Sequence, residues 1–288
     1  MLLLQLLTGL SRAAELFLVA AGLSLVFGAM RIVNIAHGSF YMVGAFIAVT
    51  IAGTIGGSLG FIAAVIAVPL IVGAVAAVTE YVALRPLYGK EHLLQLLATF
   101  ALMSIFHDVV RFTWGERPHR LRAPEILSGP VEWSGFFFPR YDIFLIGAAV
   151  VLAFGLWALL AKTGLGRDIR AAVSEPQMLQ LVGVNVPRLF TVVFALGAAL
   201  AAMGGLVSSP RGTVLLGMDV EIIIQAFAVV IIGGLGSLRG TAVGALLVGV
   251  VFAMSILWVP KAAMAMVFLI MVAVLLWRPE GLFGIPER

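Results

Sequence analysis

Two features that enzymes and secreted proteins commonly use, cysteine and charge, are missing or scarce in this chain. None of its 288 residues is cysteine and 11% are Asp, Glu, Lys or Arg, whereas about 25% of residues are charged in an ordinary soluble domain. The lack of cysteine excludes disulfides, a thiolate nucleophile and a cysteine-ligated metal site. The net charge of +4 is small and dispersed, so the sequence lacks the clustered basic face that binds nucleic acid.

Enzyme motifs are missing too. The sequence has no HExxH, no GxSxG in a strand-turn-helix context and no GxxxxGK[ST] loop for ATP. We therefore expect no catalytic residues, no metal site and no cofactor bound by this chain. The start, MLLLQLLTGL, has no basic residue before its apolar run and no small-residue cleavage site after it, so a cleaved signal peptide is not expected.

Apolar residues make up 62% of the chain, which also contains 32 glycines. A soluble core of this length cannot bury so much apolar surface, and glycine is frequent where membrane helices pack closely. One crossing needs about 20 apolar residues, and on that basis we predict about nine spans, within a range of eight to ten: 13–30, 39–56, 59–84, 92–110, 141–161, 189–208, 220–237, 240–258 and 262–278.

Alternating strands of a membrane barrel are not expected, because segments such as 61–78 are apolar on all sides. The predicted fold is all-α, one polytopic transmembrane domain over 1–288 with helices broken near the centre. Residues 1–12 either lie along the membrane interface or extend the first span. The two long connections, 111–140 and 162–188, lie on opposite sides, and the nearly even division of Lys and Arg does not decide which side is cytoplasmic.

A polar interruption separates the first two apolar runs. The sequence RIVNIAHGSFY places Asn34, His37, Gly38, Ser39 and Tyr41 between them without a proper loop. Either this is a break inside the membrane, whose freed backbone groups line a cavity or pack on protein, or it is a tight surface turn with His37 solvated. In the first case, a helix starting near Ser39 directs its positive end at a substrate carboxylate.

A second interruption lies in AFAVVIIGGLGSLRGTAVG, residues 226–244. Its glycines make it either a close-packing seam or a second discontinuity. We expect Arg239 at the end of a span. The candidate pathway residues of this segment are Gly233, Gly234, Gly236 and Ser237.

The connection 162–188 contains a short amphipathic pattern. Ser174 and Gln177 have the spacing of a capping box, and Gly183 is a natural helix stop. The apolar face between them needs a packing partner, either the chain's own membrane domain or a groove on another protein. The candidate contact residues of this segment are Arg167, Arg170, Ser174, Gln177, Met178, Leu181, Val182 and Gly183.

The ionisable residues inside apolar segments are few. We expect Glu80 to reach the interface from a span end, and Glu15 to pair with Arg12 three residues away. With no carboxylate clearly at mid-span, the sequence argues against a proton-coupled carrier.

Several of these segments resemble the branched-chain amino-acid ABC transporter permeases, and in particular the first of the two permease subunits of that importer. The motifs that match, in order over about 22–284, are GLSLVFGAMRIVNIAHGSFYMVGAF, ALRPLYG, LLATFALMSIFHDVVRFTWG, TGLGRDIRAAVSEPQMLQLVGVN, FALGAALAAMGGL, AFAVVIIGGLGSLRGTAVGALLVG and RPEGLFG.

The resemblance implies a multi-pass subunit of a bacterial inner membrane, in contact with lipid. It also implies four partners: a second, related permease, two cytoplasmic ATPase subunits that bind ATP-Mg, and a periplasmic solute-binding protein. The connection 162–188 would be cytoplasmic and couple to an ATPase, and 111–140 would be periplasmic. Related permeases serve leucine, isoleucine and valine, but also urea, short amides or aromatic acids. The other interpretation from the residues is a secondary carrier driven by an ion gradient.

Overall fold

The computed structural model describes residues 2–133, 136–174, 176–181 and 183–284. Helices dominate this part of the chain, and eight segments have the length and apolar composition needed to cross a membrane. They are Leu2–Met30, His37–Ile55, Gly57–Leu87, His92–Trp114, Arg140–Lys162, Val186–Ser208, Leu238–Trp258 and Pro260–Trp277. The prediction of an all-α polytopic membrane protein is confirmed.

In chain order the α-helices are α1 (Leu2–Met30), α2 (His37–Ile55), α3 (Gly57–Thr79), α4 (His92–Trp114), α5 (Arg140–Lys162), α6 (Gly164–Ser174), α7 (Pro176–Leu181), α8 (Val186–Ser208), α9 (Met218–Gly233), α10 (Leu238–Trp258) and α11 (Ala263–Trp277). A π-helical turn, Glu80–Leu84, and a 3₁₀ turn, Arg85–Leu87, extend α3. The strands β1 (Pro130–Trp133) and β2 (Phe136–Pro139) form an antiparallel hairpin in the connection between α4 and α5, a small element that the all-α prediction did not include.

Helix α9 differs from the prediction of a span at 220–237. It has 16 residues and ends at Gly233, because Gly234 adopts φ 100°. Sixteen residues rise about 24 Å, short of the ~30 Å hydrocarbon thickness. At the other end of the chain, α1 begins at Leu2, so residues 2–12 extend the first span rather than lying along the interface.

Helix α8 runs from one end of the bundle to the other. It begins at Val186, just after α7, and runs 23 residues, about 34 Å, to Ser208. The segment after it returns toward the connection that carries the hairpin, since Val214 and His119 exchange two backbone hydrogen bonds of 2.9 and 3.0 Å. We refer to these ends as the α6–α7 side and the hairpin side.

Helix α1 lies at the centre of the bundle and packs on α8 and α10 through small residues. A Cβ added at Gly22 would stand 2.3 Å from the backbone oxygen of Gly197 in α8, and one at Gly9 would stand 2.9 Å from the Cα of Val250 in α10. By contrast, α5 and α11 lie at the periphery, with few of their residues buried. Lipid is the natural contact for such faces.

The contact between α2 and α8 predicts a stability effect. A Cβ at Gly205 would stand 2.0 Å from the Tyr41 carbonyl oxygen, and a backbone atom cannot move aside as a side chain can. We therefore expect Gly205→Ala to destabilise the protein by about 1–3 kcal/mol through overpacking, measured by thermal unfolding in detergent. Gly147→Ala on α5 is the matched control, because nothing lies within 4 Å of that Cβ. Equal unfolding temperatures for the two variants would contradict this packing.

Candidate functional site

The chain between α1 and α2 is interrupted at residues 31–36. Arg31 adopts φ 53°, the left-handed region, and α2 begins at His37. The backbone N–H of Ile35 donates to Thr99 Oγ1, and that hydroxyl lies 3.4 Å from the Val33 carbonyl oxygen. Thr99 lies seven residues into α4, so the interruption lies about two turns inside the α6–α7 side. Its backbone packs on protein.

Apart from Arg31, which is exposed, the polar side chains of this interruption and of the first turn of α2 are buried. Asn34 and Ser39 have 0% exposure and His37 has 1%. The alternative interpretation, a surface turn with His37 solvated, is therefore wrong. Gly38 permits a close approach, because a Cβ there would stand 2.4 Å from the Asp219 carbonyl oxygen at the start of α9.

Only some of the buried polar atoms in this region have a hydrogen-bond partner among the described residues. Ser39 Oγ donates to Asp219 Oδ2 at 3.1 Å, and His37 Nε2 lies 3.1 Å from the Val19 carbonyl oxygen. The atoms without a partner are both side-chain polar atoms of Asn34, Nδ1 of His37 and Oδ1 of Asp219. Each such buried group costs about 1–3 kcal/mol, and native proteins contain few of them.

A cavity of about 490 Å³ lies on the hairpin side of the interruption; we call it the Arg12 cavity. Tyr41 connects the two, since it lines the cavity four residues after the start of α2. The lining residues come from α1, α2, α8, α9, α10 and the segment after α8: Thr8, Arg12, Glu15, Tyr41, Ser208, Ser209, Arg211, Gly212, Thr213, Val214, Met218, Glu221, Ile222, Phe252, Ala253 and Ile256.

A charged network occupies one end of this cavity. Arg12 pairs with Glu15 at 2.8 Å, as predicted, and also donates to Gln225 Oε1 at 2.8 Å. Glu15 accepts from the Tyr41 hydroxyl at 2.8 Å and lies 3.7 Å from Arg211. Arg211 is paired in turn with Asp142 of α5 at 2.8 Å. Glu15 lies near the middle of α1, so the expectation that no carboxylate lies at mid-span is wrong.

A second cavity, of about 640 Å³, lies on the α6–α7 side; we call it the Tyr88 cavity. Arg31 and Ile32 of the interruption line it, together with residues of the α3–α4 connection and of α4, α6, α7 and α8. The interruption therefore separates two cavities at opposite ends of the bundle.

The expectation that Glu80 reaches the interface is also wrong. Glu80 has 0% exposure and its carboxylate accepts hydrogen bonds from Tyr88, from Arg85 and from Thr191 of α8, the last at 2.6 Å. Burial, and then the hydrogen bond to Glu80, raise the pKa of the Tyr88 phenol well above its ordinary value. This network fixes the end of α3 against α8 beside the Tyr88 cavity.

The second glycine-rich segment forms a tight turn between α9 and α10. Gly234 and Gly236 have φ of 100° and 78°, and Ser237 caps α10 by accepting from the Gly240 N–H at 3.1 Å. The end of the chain satisfies the open end of α9, because Leu282 and Phe283 donate to the Ile232 and Gly233 carbonyls at 2.9 and 3.0 Å.

This turn packs on the last part of α1, where a Cβ at Gly28 would stand 2.9 Å from the Gly236 Cα. Gly233 also approaches Gly240 across the turn, with 2.4 Å from its added Cβ to that backbone. The segment is thus a close-packing contact, and it is also a discontinuity, because α9 ends at Gly233. Arg239 is exposed at the second residue of α10, at a helix end as expected.

The connection 162–188 contains two helices. Gly183 adopts φ 88°, and the hydrogen bonds Gly183 N–H to Gln180 O and Val184 N–H to Leu179 O form a Schellman motif, so the predicted stop is confirmed. Met178 and Leu181 are 61% and 82% exposed, and thus do not pack on the chain's own domain. Val182 lies outside the described residues. The predicted capping box depends on the side chains of Ser174 and Gln177, which lie outside the described side chains.

Helix α6, which carries Arg167 and Arg170, was not predicted. Thr163 provides a signal that could have identified it, because its hydroxyl accepts from the Gly166 N–H at 3.1 Å. The helix buries Ile169 and Ala172 on one face and exposes the two arginines on the other. Arg170 also donates to the Leu160 carbonyl, which joins α6 to the end of α5.

The structure thus brings together only part of the predicted pathway set. Tyr41 lines the Arg12 cavity, Asn34, His37 and Ser39 are buried beside it, and Gly233 to Ser237 pack elsewhere, against the end of α1. Sequence analysis did not identify Arg12, Glu15, Arg211 or Glu221 as site residues. Charge inside or beside an apolar span was the available signal.

The family model and two relatives that match this chain all describe permeases of branched-chain amino acid transport systems. Residues 5–275 match the family model described as branched-chain amino acid transport system / permease component. The high-affinity branched-chain amino acid transport system permease protein BraD of Pseudomonas aeruginosa is 30% identical over 98% of this chain and 96% of its own. LivH of Escherichia coli K12, with the same description, is 28% identical over the same shares.

A more distant relative is the ribose import permease protein RbsC of Escherichia coli K12, 25% identical over 81% of this chain and 71% of its own. No solved structure gives a significant match. The family match covers nearly all the spans described above, including both interruptions and the connection 162–188. The chain therefore belongs to the permease-component family of branched-chain amino acid transport systems.

Proposed function

We propose that this chain is the permease subunit of an ATP-driven importer that moves branched-chain or related amino acids across the inner membrane of a bacterium. The observation that carries the proposal is a pair of cavities with a buried polar interruption between them. Cavities lie at opposite ends of the bundle, and a buried helix interruption with unpartnered polar atoms lies between them. Such atoms are costly in a static structure, but a permease in its closed state retains them for water and substrate in its open states.

The α6–α7 side is the cytoplasmic side in this proposal, and the hairpin side is periplasmic. A solute-binding protein delivers substrate at the hairpin side, and a second, related permease completes the membrane unit. Two ATPase subunits bind ATP-Mg, and one of them contacts the exposed apolar face of α7. Nucleotide must stabilise one conformation of the assembly over the other for transport to follow. Movement of α7 reaches the Tyr88 cavity directly, because Gln180 lines it together with Ala172 of α6.

The test is purification of the chain with its co-encoded partners, followed by ATP hydrolysis assays in the presence of the binding protein. We expect leucine, isoleucine or valine to stimulate hydrolysis. Stimulation by urea, short amides or aromatic acids instead would keep the importer and replace the substrate class. Failure of the ATPase subunits to co-purify would contradict the assignment.

A further inference from the structure

We propose that the Arg12 cavity binds the charged head group of a free amino acid as it passes through this subunit. Arg12 and Arg211 take the carboxylate, Glu221 takes the ammonium group, and the apolar lining residues take the side chain. This inference rests on the proposed function for the arrival of an amino acid at the hairpin side. It adds the residues that recognise the substrate. It also says what a permeating molecule must carry, namely a carboxylate and an ammonium group.

Arg12 and Arg211, which both line the cavity, are the donors for a carboxylate. Arg12 Nε is buried and has no hydrogen-bond partner among the described residues. The Arg211 guanidinium uses Nε for Asp142, and its Nη1 lies 3.7 Å from Glu15, too far for a hydrogen bond. Both arginines are about one-fifth exposed. Their planar guanidinium groups suit a carboxylate.

An acceptor for an ammonium group also remains. Glu15 and Asp142 are buried and paired with the two arginines. Glu221 is different, because its side chain is 66% exposed, its carboxylate lies 3.8 Å from Arg12, and it accepts a hydrogen bond of 3.2 Å from Gln225. Two arginines and three carboxylates leave one negative charge in surplus, and Glu221 is the most exposed of the three carboxylates.

The position of this charge argues for function. Glu221 lies 3.8 Å from Arg12, which lies inside the apolar span Leu2–Met30. An exposed carboxylate beside apolar spans is costly in lipid, and in membrane proteins such residues typically face a water-filled cavity. Glu221 lines the Arg12 cavity, so a solute that enters the cavity meets this charge.

Apolar side chains also line the cavity. They are Val214 and Ile222, which are buried, and Phe252 and Ile256 of α10, with the Phe252 ring centre 5.5 Å from the Arg12 guanidinium. A volume of about 490 Å³ lies in the range of small-ligand sites, about 300–1,000 Å³. A lining with both charge signs and with apolar side chains matches an amino acid that has an apolar side chain. A sugar carries neither charge and has hydroxyls in place of the apolar group.

The test uses the complete importer in proteoliposomes and measures L-leucine taken up per ATP hydrolysed. We expect Glu221→Gln to reduce this ratio about tenfold or more, with hydrolysis still stimulated by the binding protein, and Glu221→Asp to restore most of it. The double variant Arg211→Gln with Asp142→Asn removes both charges of a buried pair together, so that neither is left unpaired, and should reduce the ratio similarly.

Matched controls are Glu125→Gln and Arg117→Gln, exposed residues on the same side but outside the cavity, and these should leave the ratio unchanged. If the wild-type complex imports leucine with ATP and Glu221→Gln imports it as well, this inference is overturned and the proposed function stands. If the wild-type complex imports no amino acid, the proposed function itself fails. Loss of uptake in Glu221→Asp equal to that in Glu221→Gln would also overturn the assignment, since the charge would then be irrelevant.

Discussion

Leu181→Asp and Met178→Asp should each reduce ATP-dependent uptake about tenfold or more while the protein still inserts in the membrane. Both side chains are exposed on α7, at 82% and 61%, although an apolar face on so short a helix needs a packing partner. If that partner is an ATPase groove, a buried unpaired carboxylate weakens docking by at least the 1–2 kcal/mol of an interface anchor, or roughly tenfold in affinity. The measurement is co-purification of the ATPase subunits together with uptake.

The control for these variants is Ile126→Asp. Ile126 is 73% exposed on the hairpin side, so the same chemical change is made at the opposite end of the bundle. We expect Ile126→Asp to keep both ATPase association and uptake. Normal ATPase association in Leu181→Asp and Met178→Asp would show that α7 is not the coupling contact.

Asn34→Leu should reduce uptake about tenfold or more without lowering the stability of the folded subunit. Asn34 is fully buried and neither of its side-chain polar atoms has a partner, so an apolar side chain of similar size relieves a cost of about 1–3 kcal/mol in this conformation. The same substitution removes hydrogen bonds that the open pathway needs, and each 1.4 kcal/mol lost there is tenfold in rate. Thermal unfolding and uptake are measured on the same preparation.

Ser255→Ala is a suitable comparison, because Ser255 is also buried, near the far end of α10, and does not line either cavity. It should leave uptake unchanged. A variant Asn34→Leu that unfolds at lower temperature and transports normally would make Asn34 a structural residue and remove it from the pathway. Gly205→Ala tests a separate contact, so its loss of stability is expected to be independent.

The architecture could be predicted from the sequence because hydropathy alone places most spans. Local chemistry was also sufficient at Gly183, where a glycine after a short helix predicts the left-handed stop that is observed. The same reasoning failed at 220–237. The glycines there end α9 early at Gly233, and a continuous apolar composition conceals that end.

The candidate site could be predicted only in part, because its contacts join residues far apart in the chain. Arg211 meets Glu15 across 196 positions, and Asp219 meets Ser39 across 180. A single sequence shows each of these residues without its partner. Glu80 shows the same limitation, since its bond to Thr191 depends on how α3 packs on α8. The buried interruption was recognisable as an interruption, but its depth depends on its contact with Thr99 of α4.

In the proposed function, ATP in partner proteins drives transport through this subunit. Uptake of radiolabelled leucine tests this dependence on ATP, with proteoliposomes that contain either this chain alone or the full complex with its binding protein. We expect no accumulation by the chain alone under a proton or sodium gradient, and accumulation by the complex only when ATP is present. Gradient-driven accumulation by the chain alone, without nucleotide, would instead identify an ion-coupled carrier.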